Sequence, residues 1–283
     1  MQASTTKAFL AFSVIGSVTL LPLLVLPAMI GVLVDNAGMS DSSAGYSASA
    51  FFIAGAIVGL LLSVRIHHLD LRRLAMIALL VAIIADVMSA YTAGETTAFF
   101  AARILAGLGL GSAYAASVAA FARFDDYERG FGIFVTLQFI ISGLGLYVVP
   151  VYADVLQAKG LHLSFAVADA IALSLVSFLP SGRATVADAE HRLEEFKVLL
   201  KPAALLAILG FAVFEAANNA QFAFIERFGV SLAISDERIG TSLLVASLIG
   251  IPGAFFIVLV GGRFGTLRPL LAGIGIAILG MLI

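Results

Sequence analysis

The chain is 283 residues long, 61% hydrophobic and only 12% charged. Too little polar surface remains to coat a soluble globule of this size, so lipid is the expected solvent for much of it. The lack of cysteine excludes disulfides, thiolate catalysis and cysteine metal sites, and the net charge of -2 conceals a strong asymmetry between loops.

Eight apolar runs and the opening of a ninth follow one another along the chain. They are Ala8–Val34, Tyr46–Val64, Leu74–Thr92, Thr97–Phe121, Phe131–Asp154, Leu161–Leu179, Ala203–Ile225 and Ile239–Val260, with the ninth starting at Leu270. At about 1.5 Å of rise per residue, each complete run can cross a hydrocarbon core of roughly 30 Å as a helix. Lys7, Arg65, Arg72, Arg73, Arg123, Arg129, Arg183, Arg192, Lys197, Lys201, Arg263 and Arg268 fall on one side. Only Lys159, Arg227 and Arg238 fall on the other, and Arg103 lies inside a run. The positive-inside bias makes the first side cytoplasmic, so the expectation is a multi-pass inner (plasma) membrane protein with a cytoplasmic N-terminus. The first run is too long for a cleaved signal peptide and lacks a small-residue cleavage site. The ninth run stops at Ile283 with no polar flank, which reads as a C-terminal truncation. Carbonyls left bare in hydrocarbon would cost several kcal/mol each.

One cytoplasmic stretch, Pro180 to Pro202, is long and polar enough to separate two bundles. Within it Val186, Leu193, Phe196 and Leu200 recur near the helical period, predicting a short amphipathic helix on the membrane surface. The predicted organisation is a six-helix bundle over 1–180, a linker over 181–202, and from 203 to 283 the start of a second bundle with helices 7, 8 and part of 9. A weak internal repeat agrees. Gly59, Arg65, Arg72 and Arg73 around the second loop are echoed by Gly253, Arg263, Phe264, Gly265 and Arg268 around the eighth.

These positions carry a resemblance to the major facilitator superfamily, whose members have a G-x-x-x-D-R-x-G-R-R loop between spans two and three and a looser copy between spans eight and nine. The first copy keeps Gly59, Arg72 and Arg73, with Ser63 in the acid's place and Asp70 inside a stretched spacing. The second keeps Arg263, Gly265 and Arg268, with Gly262 in the acid's place. A third match is an arginine in span four followed by glycines, here Arg103, Gly107, Gly109 and Gly111. The resemblance implies an all-α helical bundle with two pseudo-symmetric halves, the second incomplete, and gives the loop residues the role of an inner-gate latch. The Gly-Pro dipeptide of many exporters is split here into Gly143, Gly145 and Pro150, leaving import and export open.

Four ionisable residues, Asp86, Arg103, Asp169 and Glu215, sit within runs, where each must face protein or water. Asp86 and Arg103 lie at matching depth on neighbouring antiparallel runs, predicting an ion pair, with a proton-linked role as the alternative. Glu215 lies near the middle of the seventh run, and Phe211, Glu215, Asn218 and Phe222 share a helical face with Asn219 beside them. An acid, amides and aromatics can line a solute path, and the resemblance places span seven on the cavity wall; interhelical bonding is the other reading. Asp169 is expected on a supporting helix, bonded to a backbone group or hydroxyl. Ser13, Ser17, Pro22 and Pro27 are expected to loosen span one and bare carbonyls toward the cavity, while Gly107 and Gly111 let helices approach. The four histidines show no metal-ligand spacing.

With no phosphate-cradling loop, an ATP-driven pump is disfavoured. The expected function is secondary active transport of a small organic solute by alternating access, with protons as a candidate coupling partner. No cofactor, metal, catalytic residue or nucleic-acid partner is expected. The alternative is a non-transporting membrane sensor or assembly protein on the same scaffold. An intramembrane enzyme is more distant, since no nucleophile and base converge at one depth.

Overall fold

The computed structural model describes residues 2–123, 127–182, 201–260 and 267–282. Among these, every regular element is helical. The first run is divided into α1 (Gln2–Thr19), α2 (Leu21–Leu24) and α3 (Leu26–Asp35). Pro22 and Pro27 each stand at the start of a new piece, where a missing N–H does least harm. Then come α4 (Asp41–Ser63), α5 (Leu71–Thr92), α6 (Thr96–Phe121), α7 (Tyr127–Val151) and α8 (Ala153–Leu175). Beyond these lie α9 (Pro202–Ala223), α10 (Ile225–Ser231), α11 (Asp236–Val260) and α12 (Leu267–Leu282).

Among the described residues, six helical segments are long and apolar enough to cross a membrane, and the protein is an all-α, multi-pass membrane protein. Outward-facing side chains fit that solvent: Ile53, Ile57, Leu60 and Leu61 of α4 are all more than half exposed, whereas Ala44, Ala48, Phe51 and Ala54 point inward. The predicted amphipathic helix at Val186–Leu200 lies outside the described residues.

α6 is the hub. It packs on α4 and α5, α5 packs on α8, and α1 lies across α6, α7 and α8. Glycine makes these contacts close. A Cβ on Gly111 would sit 2.7 Å from the Cα of Gly55, one on Gly109 would sit 2.8 Å from the carbonyl oxygen of Ala78, and one on Gly107 would overlap the Phe51 carbonyl. The expected helix-approach role of Gly107 and Gly111 is what the structure shows.

Buried apolar residues form two clusters. Phe9, Phe12 and Phe121 anchor the one nearer the arginine-rich end, with ring centroids 5.5 to 6.4 Å apart. Val25, Ile30, Phe99 and Phe165 anchor the one toward the opposite end. The later helices join chiefly through α7 against α11 and through α3 against α9 and α10. The split glycines contribute here, since Gly143 meets Leu244 of α11 and Gly145 meets Val25 at the break between α2 and α3.

Candidate functional site

The break in span one bares the Leu24 carbonyl to a neighbouring helix, and a second serine bonds a carbonyl inside α1. Ser142 of α7 donates to the Leu24 carbonyl at 2.8 Å, and Ser117 of α6 donates to that of Phe12 at 2.7 Å. The loosening expected of Pro22 and Pro27 is present, but the Leu24 carbonyl bonds α7 and does not face an open cavity.

A cavity of about 860 Å³ lies beside this break, walled by α2 and α3, by α4 through Ser49 and Phe52, and by α9. Glu215 and Asn219 are the polar side chains α9 contributes, tied together by an Asn219 Nδ2 bond to Glu215 Oε2 at 3.1 Å. Asn218, Phe211 and Phe222 do not line it, and Phe211 is 66% exposed. The remaining α9 lining is Ala216, Ala220 and Ala223, with Phe224 just beyond its end. At about 100° per residue, that face is turned roughly a quarter of a circle from the predicted stripe, leaving Glu215 at its edge and Asn219 just inside it. A second cavity of about 580 Å³ lies between α4 and α6 and includes Gly59, His67 and Tyr114.

The buried ion pair is where depth matching put it. Arg103 Nη1 lies 2.6 Å from Asp86 Oδ1, with both side chains 1% exposed or less. Arg103 also reaches Ser89 at 3.4 Å, and its guanidinium lies 4.7 Å from the centroid of the Phe51 ring. Among the described residues, Asp169 of α8 has no backbone or hydroxyl partner of the kind expected. It lies within hydrogen-bond reach of the Asp86 carboxyl, so α8 brings a second acid to one arginine. His162 is also fully buried nearby, 5.4 Å from the Phe99 ring.

At the arginine-rich end, Asp70 caps α5. Its Oδ1 accepts the Arg73 N–H at 3.0 Å and its Oδ2 accepts the Gly182 N–H at 2.8 Å. The Gly182 and Arg73 amides together hold this carboxyl below its usual range. Arg72 donates twice to the Leu179 carbonyl, at 3.1 and 3.0 Å. Asp70 and Arg72 are thus tied to the chain leaving α8. Gly59 has open space where a Cβ would go, and Arg268 is exposed. Arg263 and Gly265 lie outside the described residues.

Sequence reasoning missed a clasp at the opposite end. Arg227 of α10 reaches Asp35 at the end of α3, at 2.8 and 2.9 Å, and Asp41 at the start of α4, at 3.1 Å. Beside it, Glu226 is buried against α3. The only signal for these residues was the scarcity of basic residues on that side, which made Arg227 one of three.

The sequence model of the Major Facilitator Superfamily matches residues 8–283. Among solved structures, the fold is similar to that of the major facilitator proton:xylose symporter XylE bound to 6-bromo-6-deoxy-D-glucose. The TM-score is 0.60 at 19% identity, over 93% of this chain and 69% of that one. It is also similar to a D-xylose-proton symporter, with TM-score 0.53 at 18% identity, over 92% of this chain and 69% of that one. No curated protein matches the sequence. With the family match running from the first span to the last residue, the chain belongs to the major facilitator superfamily and is a membrane transporter, not an enzyme.

Proposed function

We propose that this protein is a secondary active transporter that carries a small organic solute by alternating access, with Glu215 as the candidate proton-coupling residue. The arginine-rich end is taken as cytoplasmic. The observation that carries this reading is the cavity between the broken first span, α4 and α9, with a carboxylate and an amide on its α9 wall. Broken helices beside a central cavity are where secondary transporters bind solute between their halves. The Arg227 clasp belongs to the same picture as a closed outer gate, since it ties α10 to α3 and α4 beyond the cavity. Asp70, Arg72 and Arg73 take the inner side, with Arg263, Gly265 and Arg268 as the second loop of that gate. Arg103 and Asp86 are the second candidates for coupling, and Asn218, Phe211 and Phe222 remain candidates for solute contact in another conformation. The similarity to proton:xylose symporters makes pentoses and hexoses the first solutes to try.

The experiment is solute uptake into proteoliposomes under an imposed pH gradient, comparing the parent with Glu215→Gln. Gradient-driven accumulation lost while solute exchange persists supports Glu215 as the coupling site. Unchanged accumulation removes Glu215 from that role and points to Asp86 and Arg103. Folded protein that moves no solute would favour the non-transporting alternative.

A further inference from the structure

The outer clasp contains an acid that the transport reading leaves without a role. Glu226 is 5% exposed. Its carboxyl lies against Gly31 of α3, so close that a Cβ on Gly31 would come 2.6 Å from Oε2 and 2.7 Å from the carboxyl carbon. Oε2 has no hydrogen-bond partner. The carboxyl faces a cavity of about 80 Å³ that Asp35, Asp154 and Asp236 also line.

Asp35 from α3, Asp41 from α4, Asp154 from α8 and Asp236 from α11 all bring a charge of the same sign to this carboxyl, while α7 adds only the uncharged Pro150. Arg227, beside it on α10, is already engaged with Asp35 and Asp41. An ionised carboxylate buried with one oxygen left without a donor is disfavoured. Two events relieve that: the group takes a proton, or the seam between α3 and α10 opens and returns it to water. No group of three or more histidines and acids among the described residues is arranged to hold a metal ion.

We propose that Glu226 is a proton-binding site of the outer gate, protonated while the α3–α10 seam is shut and ionised when it opens. This rests on the alternating-access reading above. Closure then takes up one proton from outside. Acidifying the outer medium favours the shut gate and raising its pH favours the open one. Gly31 is part of the device, because any side chain there would displace the carboxyl from its seat.

The test uses the fact that the chain has no cysteine of its own. Ala28 lines the same cavity and is 2% exposed, so Ala28→Cys reports opening to a membrane-impermeant maleimide in right-side-out vesicles. Val155→Cys, at a position 83% exposed, is the reference that cancels the pH dependence of thiol ionisation. Relative labelling of the Ala28→Cys protein should rise with external pH, by up to about tenfold per unit, the limit for one linked proton. Glu226→Gln, a neutral isostere, should flatten the curve at the low level. Gly31→Ala should flatten it at the high level. A parent without a slope, or a Glu226→Gln protein that keeps the parent's slope, overturns the proposal. Labelling needs no solute, so a protein that labels as expected yet moves nothing would overturn only the transport reading.

Discussion

Replacing Arg103 by Ala tests how the buried charges share one another. The guanidinium lies 2.6 Å from Asp86, and both groups are essentially inaccessible. Breaking a buried pair by removing one partner typically costs about 3–5 kcal/mol, because the other charge stays behind uncompensated. The two possible deletions are not equivalent here. Removing Arg103 leaves two facing carboxyls, Asp86 and Asp169, with no cation. Removing Asp86 leaves Arg103 beside Asp169, which can take over as its partner. Arg103→Ala should therefore lose the full amount, about 3–5 kcal/mol. Asp86→Ala should lose less, about 1–3 kcal/mol, on the scale of a buried hydrogen-bonded group left short of a partner. Adding Asp169→Ala to Asp86→Ala should bring the loss back up to the Arg103 level. The assay is heat-induced loss of monodispersity in detergent, read by size exclusion after a temperature series. Equal losses for Arg103→Ala and Asp86→Ala, or a double acid variant no worse than Asp86→Ala alone, would refute the shared-partner reasoning.

Two further outcomes follow from the helix contacts and the loop between α4 and α5. Gly107→Ala, whose new methyl would overlap the Phe51 carbonyl, should destabilise by about 1–3 kcal/mol in the same heating assay, whereas Gly59→Ala, facing open space, should change little. Asp70→Ala removes the α5 cap and should cost about 1 kcal/mol at neutral pH. Since the folded-state value of Asp70 lies below the ordinary 3.8, the cap's contribution is fully present above about pH 4 and fades as pH falls through the lower folded value. Parent and variant should then converge in acid, as melting curves across that range would show.

Hydrophobicity is a local property, and whatever depends on it can be read from the residues of one segment. The length of each span, the side that carries the arginines and the glycine positions in α6 are all set by residues in one stretch and by lipid around them. The Asp86 and Arg103 pair also belongs here, since a tight turn between two antiparallel helices converts equal depth into proximity. Which face a helix turns to a cavity is different, because it depends on its neighbours. α9 sets Glu215 and Asn219 on the cavity together with Ala216, Ala220 and Ala223, while Phe211, Asn218 and Phe222, predicted for the same face, do not line it. The seams are set by the tertiary structure alone. Asp35 and Arg227 are 192 positions apart, and Glu226 has a seat only because Gly31 arrives opposite it. Nothing near either residue in sequence announces the other. The spans followed from the transfer of side chains into lipid, which each segment decides for itself, whereas the clasp and its buried carboxyl exist only once two distant helices share a surface.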